Sequence, residues 1–349
     1  DWGFVEENKP AVEEAFANAA HVTTLELVNN RLVANPMEPR VAVGDFNRAT
    51  GDSTLYTTSQ NPHVIRLLMG AFVLGIPEHK LRVIAPDVGG GFGTKIFHYA
   101  EEAFCTFAAK ALNRAVKWTS SRSEAFISDA HGRDHVTTIQ LALDSDNNFT
   151  ALRTDTHANM GAYLSTFAPS VPTWLHGTLM AGNYKTPLIY VNVKAVFTNT
   201  VPVDAYRGAG RPEVIYCTER LMDAAARQIG MDPIALRRLN LLTPEDMPHT
   251  TPGGLTFDTA DPARLIDAAL DAADDAGYTE RHAESATRGK IRGRAAIYYM
   301  ERTGGGPQEN AAVKIAATGA RAAVHVDDVD ESHQVNRPEG SPIVDAHVQ

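Results

Sequence analysis

The chain has 349 residues, 44% hydrophobic and 21% charged, with a formal net charge of −10. That is ordinary globular composition, with length for two domains that each bury a core. The acidic balance, and the lack of a basic stripe with interleaved aromatics, argue against a nucleic-acid surface. The longest apolar run, Leu67 to Ile76, is too short and too broken by glycine for a membrane span. Cys105 and Cys217 are the only cysteines and form no C-x-x-C pair, so buried reduced thiols in a reducing, cytoplasmic compartment are expected. No signal-peptide pattern opens the chain, and Asp1 reads as a fragment boundary.

Alternation predicts strands at His21–Asn29, Arg40–Phe46 and Ser53–Thr58. Asn61 as N-cap and Pro62 at N1 open a helix that leaves near Gly75 and Pro77. A strand at Leu81–Ala85 precedes a glycine-rich run, and a helix is predicted from about Phe97 to Leu112. Val116–Thr119 is a short strand, and His135–Leu143 with Phe149–Asn159 reads as a hairpin around the polar turn Asp144 to Asn148. Tyr190–Phe197 is another strand. Helices follow at Pro212–Ile229, from Asp232-Pro233 to about Leu242, and from Asp261-Pro262 to near Gly277. Strands are predicted again at Ile291–Met300 and Asn310–Ala316. From Asp327 the chain is polar, with no structure expected. Strands and helices mix without a βαβ rhythm, so the fold class is α+β.

The run Asp87-Val88-Gly89-Gly90-Gly91-Phe92-Gly93-Thr94-Lys95 holds four glycines in five residues. Glycine tolerates positive φ and lets the backbone approach a ligand, its N–H groups turned to anionic oxygens, here expected near a helix N-terminus. It is neither a Walker loop, since Thr94 precedes Lys95, nor a dinucleotide fingerprint, since Thr94 holds the third glycine slot. A plain flexible connection is the alternative. His325, His333 and His347 have spacings that fit no compact metal motif. His63 and His98 read as structural, hydrogen-bonded histidines.

Two further segments, Thr58-Ser59-Gln60-Asn61-Pro62-His63 and Ala205-Tyr206-Arg207-Gly208-Ala209-Gly210-Arg211-Pro212-Glu213, carry a resemblance when joined to the glycine run. In this order they resemble the large subunit of molybdenum hydroxylases, the family of xanthine dehydrogenase, aldehyde oxidoreductase and aerobic carbon-monoxide dehydrogenase. Asn35-Pro36-Met37-Glu38-Pro39-Arg40 and the stretch from Glu219 to Pro233 look like family segments too. The resemblance covers most of residues 1–317. It implies a molybdopterin-binding domain over 1–256, an incomplete second cofactor-binding domain over 257–326, and a polar tail over 327–349. It also implies a molybdenum–pterin cofactor, often the cytosine dinucleotide, that oxidises a small-molecule substrate with water as oxygen source. Electrons would leave through an Fe–S small subunit and an FAD medium subunit, in a dimer of heterotrimers.

By the same resemblance, Gln60 donates its amide to the apical oxo ligand, so no residue ligates the metal directly. Gly90, Gly91, Phe92 and Gly93 present backbone to oxo ligand and pterin. Arg207 stabilises charge on the substrate as the catalytic arginine, Ala209 and Gly210 let the loop pass close to the cofactor, and Gly208 and Ala209 count among the cofactor-binding positions. The blander readings are a polar residue beside a helix cap for Gln60, a core anchor for Phe92, an ion pair for Arg207, and a local pair for Arg211 and Glu213.

Two departures bear on substrate. Copper-containing carbon-monoxide dehydrogenases have cysteine where this chain has Gly208, so no thiolate is present for Cu(I). Xanthine dehydrogenases have a purine-binding glutamate where this chain has Ile96. An aldehyde or N-heterocycle is the expected substrate. The family's base glutamate has no counterpart here, and Thr303-Gly304-Gly305-Gly306-Pro307 is only a loop in the second domain. The chain alone is therefore expected to be inactive, and a catalytically inactive remnant or assembly subunit is the alternative. A nucleotide-binding protein is the weaker rival.

Overall fold

The computed structural model describes residues 2–4, 6–301, 311–315 and 322–326. The glycine loop expected at 303–307, the tail over 327–349, and His333 and His347 lie outside the described residues. His325 falls within the strand Ala322–Val326, which pairs antiparallel with Ala311–Ile315. The chain divides into two compact units, one from 33–131 with 206–208, the other from 1–32, 132–205 and 209–300.

The first unit is a four-stranded sheet in the order Leu81–Ile84, Asp52–Thr57, Val41–Asn47, Val116–Thr119. Only the pair Asp52–Thr57 with Leu81–Ile84 is parallel. The helix Ala100–Leu112 lies on this sheet and seats Cys105 in a core with Ala42, Leu55, Ile65, Met69 and Leu81. Close approach here depends on Gly44, where a Cβ would meet the Cys105 carbonyl oxygen at 2.2 Å. Gly44→Ala is expected to cost about 1–3 kcal/mol as an overpacking change, readable in urea unfolding. The helix Pro62–Leu68 runs on as a π-helical turn over Met69–Leu74 and exits at Gly75 in the left-handed region.

The second unit holds a five-stranded sheet in the order Trp2–Phe4, Ile189–Phe197, Phe149–Gly161, His135–Leu143, His21–Asn29. The long helix Arg211–Ile229 buries Val214, Leu221, Met222, Ala225 and Ala226 in a core with Ile139, Leu141, Leu152 and Val191. Arg237 is fully buried, its charge met by Glu219 at 2.8 Å and Asp223 at 2.7 Å. Desolvation of both partners keeps such a cluster from being a large net gain, yet removing one partner leaves an unpaired buried charge.

Several expectations need correction. Residues 291–300 form no strand; between Gly289 and Met300 no described segment pairs with them, and Tyr298 instead donates to the Pro262 carbonyl at 2.6 Å. The helix expected to reach Gly277 stops at Ala272, and a separate helix, Tyr278–Thr287, follows. Asp274 in the left-handed region makes the break. Asn61 precedes its helix without a side-chain cap bond, whereas Asp232 and Asp261 do cap theirs. Helices Lys9–Ala17 and Arg122–Ser128 are not among the elements expected from the sequence, although Asn8 with Pro10 and the Ser121–Glu124 capping box mark their starts.

Candidate cofactor site

The helix after the glycine run begins at Ala100, so residues 87–99 are loop and the glycine amides are not helix N-terminal amides. The loop is held by its own turns. Gly90, Phe92 and Gly93 have φ of 91°, 55° and 100°, in the left-handed region that costs a side-chain-bearing residue such as Phe92.

Gln60 folds onto this loop. Its Oε1 accepts from Gly93 N at 3.0 Å and from Lys95 N at 3.3 Å. Its own backbone N–H donates to the Lys95 carbonyl at 2.9 Å. Two peptide donors at one end of the amide fix its flip, since the –NH₂ end could not accept from them. Nε2 is thereby the donor end. Gly91 is where the side chain passes: a Cβ there would stand 2.1 Å from Gln60 Oε1.

The loop has a second brace. Glu38 Oε2 accepts from Gly89 N at 2.8 Å and from Lys95 Nζ at 2.8 Å, and Glu38 N donates to the Gly89 carbonyl at 3.2 Å. The Lys95 side chain has no exposure; burial pushes its ammonium below the usual lysine range, against the pull of Glu38. Arg40, two residues on, is buried against the Tyr99 ring and bonds Asp129 at 2.6 Å and Glu101 at 3.0 Å. Tyr99 Oη donates to the Thr94 carbonyl at 2.7 Å, closing the far side of the loop.

Arg207 joins the same unit. Its N–H donates to the Phe92 carbonyl at 2.9 Å, and its guanidinium carbon stands 5.8 Å from the Phe92 ring centroid. Gln60, Gly90 to Gly93, Arg207 and Gly208 are thus in one unit, whereas Ala209 belongs to the other. Gly208 and Ala209 have φ of 92° and 32°. Glu213 does not form the local pair expected with Arg211; its partner is Arg133 at 3.0 Å. Ile96 is buried, and His98 bonds Glu102 at 3.0 Å, as a structural histidine should. Sequence reading missed the role of Glu38 and Lys95. The signal was the acidic residue in the 35–40 segment, which spacing alone could not connect to a lysine far along the chain.

A family model described as the molybdopterin cofactor-binding domain matches residues 4–241. This chain belongs to the molybdenum hydroxylase large-subunit family. Relatives include the carbon monoxide dehydrogenase large chain of Hydrogenophaga pseudoflava, 33% identical over 86% of this chain and 38% of the relative. The nicotine 6-hydroxylase large subunit of Paenarthrobacter nicotinovorans is 31% identical over 84% of this chain and 36% of its own length. Quinoline 2-oxidoreductase from Pseudomonas putida 86 superposes with a TM-score of 0.76 at 34% identity, covering 80% of this chain and 35% of that one. The family member described here therefore spans well under half the length of these relatives.

The residues present fit a molybdenum–pterin group. The loop turns through left-handed residues at Gly90, Phe92 and Gly93, the space beside Gly90 and Gly91 is taken by the Phe92 and Gln60 side chains, and the Gln60 oxygen is engaged by the loop amides, which leaves its –NH₂ to donate. No cluster of three metal-ligating side chains occurs among the described residues. No helix among them is long and apolar enough to cross a membrane.

Proposed function

We propose that this chain is the cofactor-holding part of a molybdenum hydroxylase large subunit that oxidises an aldehyde or an N-heterocycle, water supplying the oxygen. The observation that carries the reading is Gln60, whose oxygen is locked by two loop amides, which leaves its –NH₂ as the donor end. When bound, the molybdenum–pterin supplies the redox chemistry and the oxygen transfer.

The chain's residues bind and orient that group. Gln60 Nε2 would be the donor to an oxo ligand of that group. The backbone of Gly90, Gly91, Phe92 and Gly93 would hold the group, and Gly208 and Ala209 are the further cofactor-binding positions of the proposal. The Arg207 guanidinium offers a fork of donors for negative charge building on the substrate. Its ammonium replacement keeps the charge and loses the fork, so Arg207→Lys is expected to lower kcat about tenfold, measured on the assembled enzyme.

Gly208 gives Cu(I) no thiolate, and buried Ile96 offers a purine no carboxylate, so neither carbon monoxide nor purine is the substrate of choice. Nicotine and quinoline, named in two relatives, are N-heterocycles, which supports that class. The cytosine-dinucleotide form, the domain limits at 256 and 326, Fe–S and FAD subunits in a dimer of heterotrimers, and a cytoplasmic location belong to the same proposal. So does the absence of turnover by this chain without a catalytic carboxylate from elsewhere. The test is molybdenum and pterin content, by elemental analysis and mass spectrometry, of the chain co-expressed with its neighbouring subunits. Near-stoichiometric content supports the reading; a folded, assembled protein with neither sinks it, in favour of an inactive remnant or assembly subunit.

A further inference from the structure

A lysine at the end of a glycine-rich loop invites the reading of a phosphate-binding cation. The geometry points to another role: Lys95 and Glu38 form an internal clamp that positions the cofactor loop and Gln60, and Lys95 touches no ligand. The inference rests on the reading of residues 89–93 as the molybdenum–pterin loop.

Lys95 is tied to both Glu38 and Gln60. Its ammonium meets Glu38 Oε2 at 2.8 Å with no side-chain exposure. Its peptide N–H donates to Gln60 Oε1 at 3.3 Å, and its carbonyl accepts from Gln60 N at 2.9 Å. The same Glu38 oxygen takes the Gly89 N–H at 2.8 Å. One carboxylate oxygen therefore fixes both ends of the run 89–95, and the lysine hands that restraint to the glutamine. A buried ammonium already neutralised by a carboxylate has little charge left for a phosphate, and no exposed atom with which to present it. The left-handed residues between the two ends make such a brace necessary, since a chain released from both ends would relax from strained φ. Glu38 and Lys95 are positioning residues, acting on the cofactor through the loop amides and Gln60.

The test uses the full chain in its native assembly, with Glu38→Gln, Lys95→Met and the double variant. Three readouts are followed: amide hydrogen exchange in the 87–95 peptide, release of pterin on dialysis, and the visible circular-dichroism band of the bound cofactor. Glu38→Gln keeps an acceptor for Gly89 but leaves Lys95 buried and unpaired, so it can fail by global unfolding. The double variant removes that charge problem. It is expected to melt like wild type, yet exchange its loop amides about tenfold faster, release pterin faster and alter the dichroism band. A double variant that melts like wild type and matches it in loop exchange and dichroism overturns the clamp. Wild-type protein without any molybdenum–pterin would instead sink the family reading of the site, while loop exchange would still report whether the clamp holds the loop. Faster pterin release from Lys95→Met that added inorganic phosphate mimics in wild type, by competition, would also overturn it, in favour of a phosphate-binding lysine.

Discussion

A Gly91→Ala chain is expected to bind the cofactor about 5- to 150-fold more weakly than wild type. The added Cβ would stand 2.1 Å from Gln60 Oε1, so either the glutamine leaves the loop or the loop leaves the glutamine. An overpacking change of this kind costs about 1–3 kcal/mol, which is about 5- to 150-fold in a binding constant. Both escapes damage the same thing, because Gly93 N and Lys95 N are held by the atom that is displaced. The measurement is pterin release from the assembled enzyme, beside circular dichroism to confirm the fold. Gly293→Ala is the control, since a Cβ there meets nothing within 4 Å. Cofactor retained at wild-type strength in Gly91→Ala would show that Gln60 and the loop do not act together. In Gly91→Ala/Gln60→Ala the clash is gone, so the fold should recover while cofactor affinity stays low.

The second large effect is acid lability of the unit that holds the five-stranded sheet. His135 and His176 are buried with ring centroids 6.0 Å apart. His135 Nδ1 and both ring nitrogens of His176 lack hydrogen-bond partners among the described residues. Burial, then the Arg133 charge, pushes His135 down to about 4. Burial, then His135, pushes His176 down to about 3, and the nearby Gly210 backbone opposes this without reaching hydrogen-bond geometry.

Both folded values lie below the unfolded value of 6.5, so the unfolded chain binds more protons between them. Stability is then full above pH 6.5 and falls as the pH drops toward 4 and 3. At pH 5 each histidine costs about 2 kcal/mol. Asp204 works in the opposite direction: burial raises it to about 6, so its folded form takes up a proton first and gains stability as the solution is acidified. Glu213 and Glu219, also raised by burial, share that sign. The comparison that isolates the histidines is wild type against His135→Gln/His176→Leu. The difference in unfolding free energy between pH 7.5 and pH 5 is expected to shrink by about 4 kcal/mol in the variant. An unchanged pH dependence would mean that the pair titrates normally.

Local chemistry was legible wherever a residue's role is set by its immediate neighbours. The strand His21–Asn29, the Asp232 and Asp261 caps, and the exit at Gly75 follow from alternation, side-chain oxygens next to orphan amides, and glycine's access to positive φ. The strand expected at residues 291–300 did not form, and Tyr298 there is bonded to the Pro262 carbonyl instead, because β-like composition is realised only where tertiary packing supplies a partner strand. The helix expected from Phe97 starts three residues late because Tyr99 is drawn into the loop by Thr94 and Ala130.

The three motifs in their order determined the family, because each demands a particular residue type wherever the backbone goes. Four glycines in five residues determined that some backbone would be approached closely, since nothing but missing Cβ atoms allows it. Sequence could not decide what approaches. Tertiary structure placed Gln60 over Gly91, turned its amide oxygen onto the loop amides, and brought Glu38 to both ends of the run 89–95. Gln60 lies 33 positions from Gly93 and Glu38 lies 57 from Lys95, separations at which no helical or strand period relates one side chain to another. Only the packed fold, by excluding water from Lys95 and leaving Glu38 as its charge partner, selects that arrangement over the many the sequence permits.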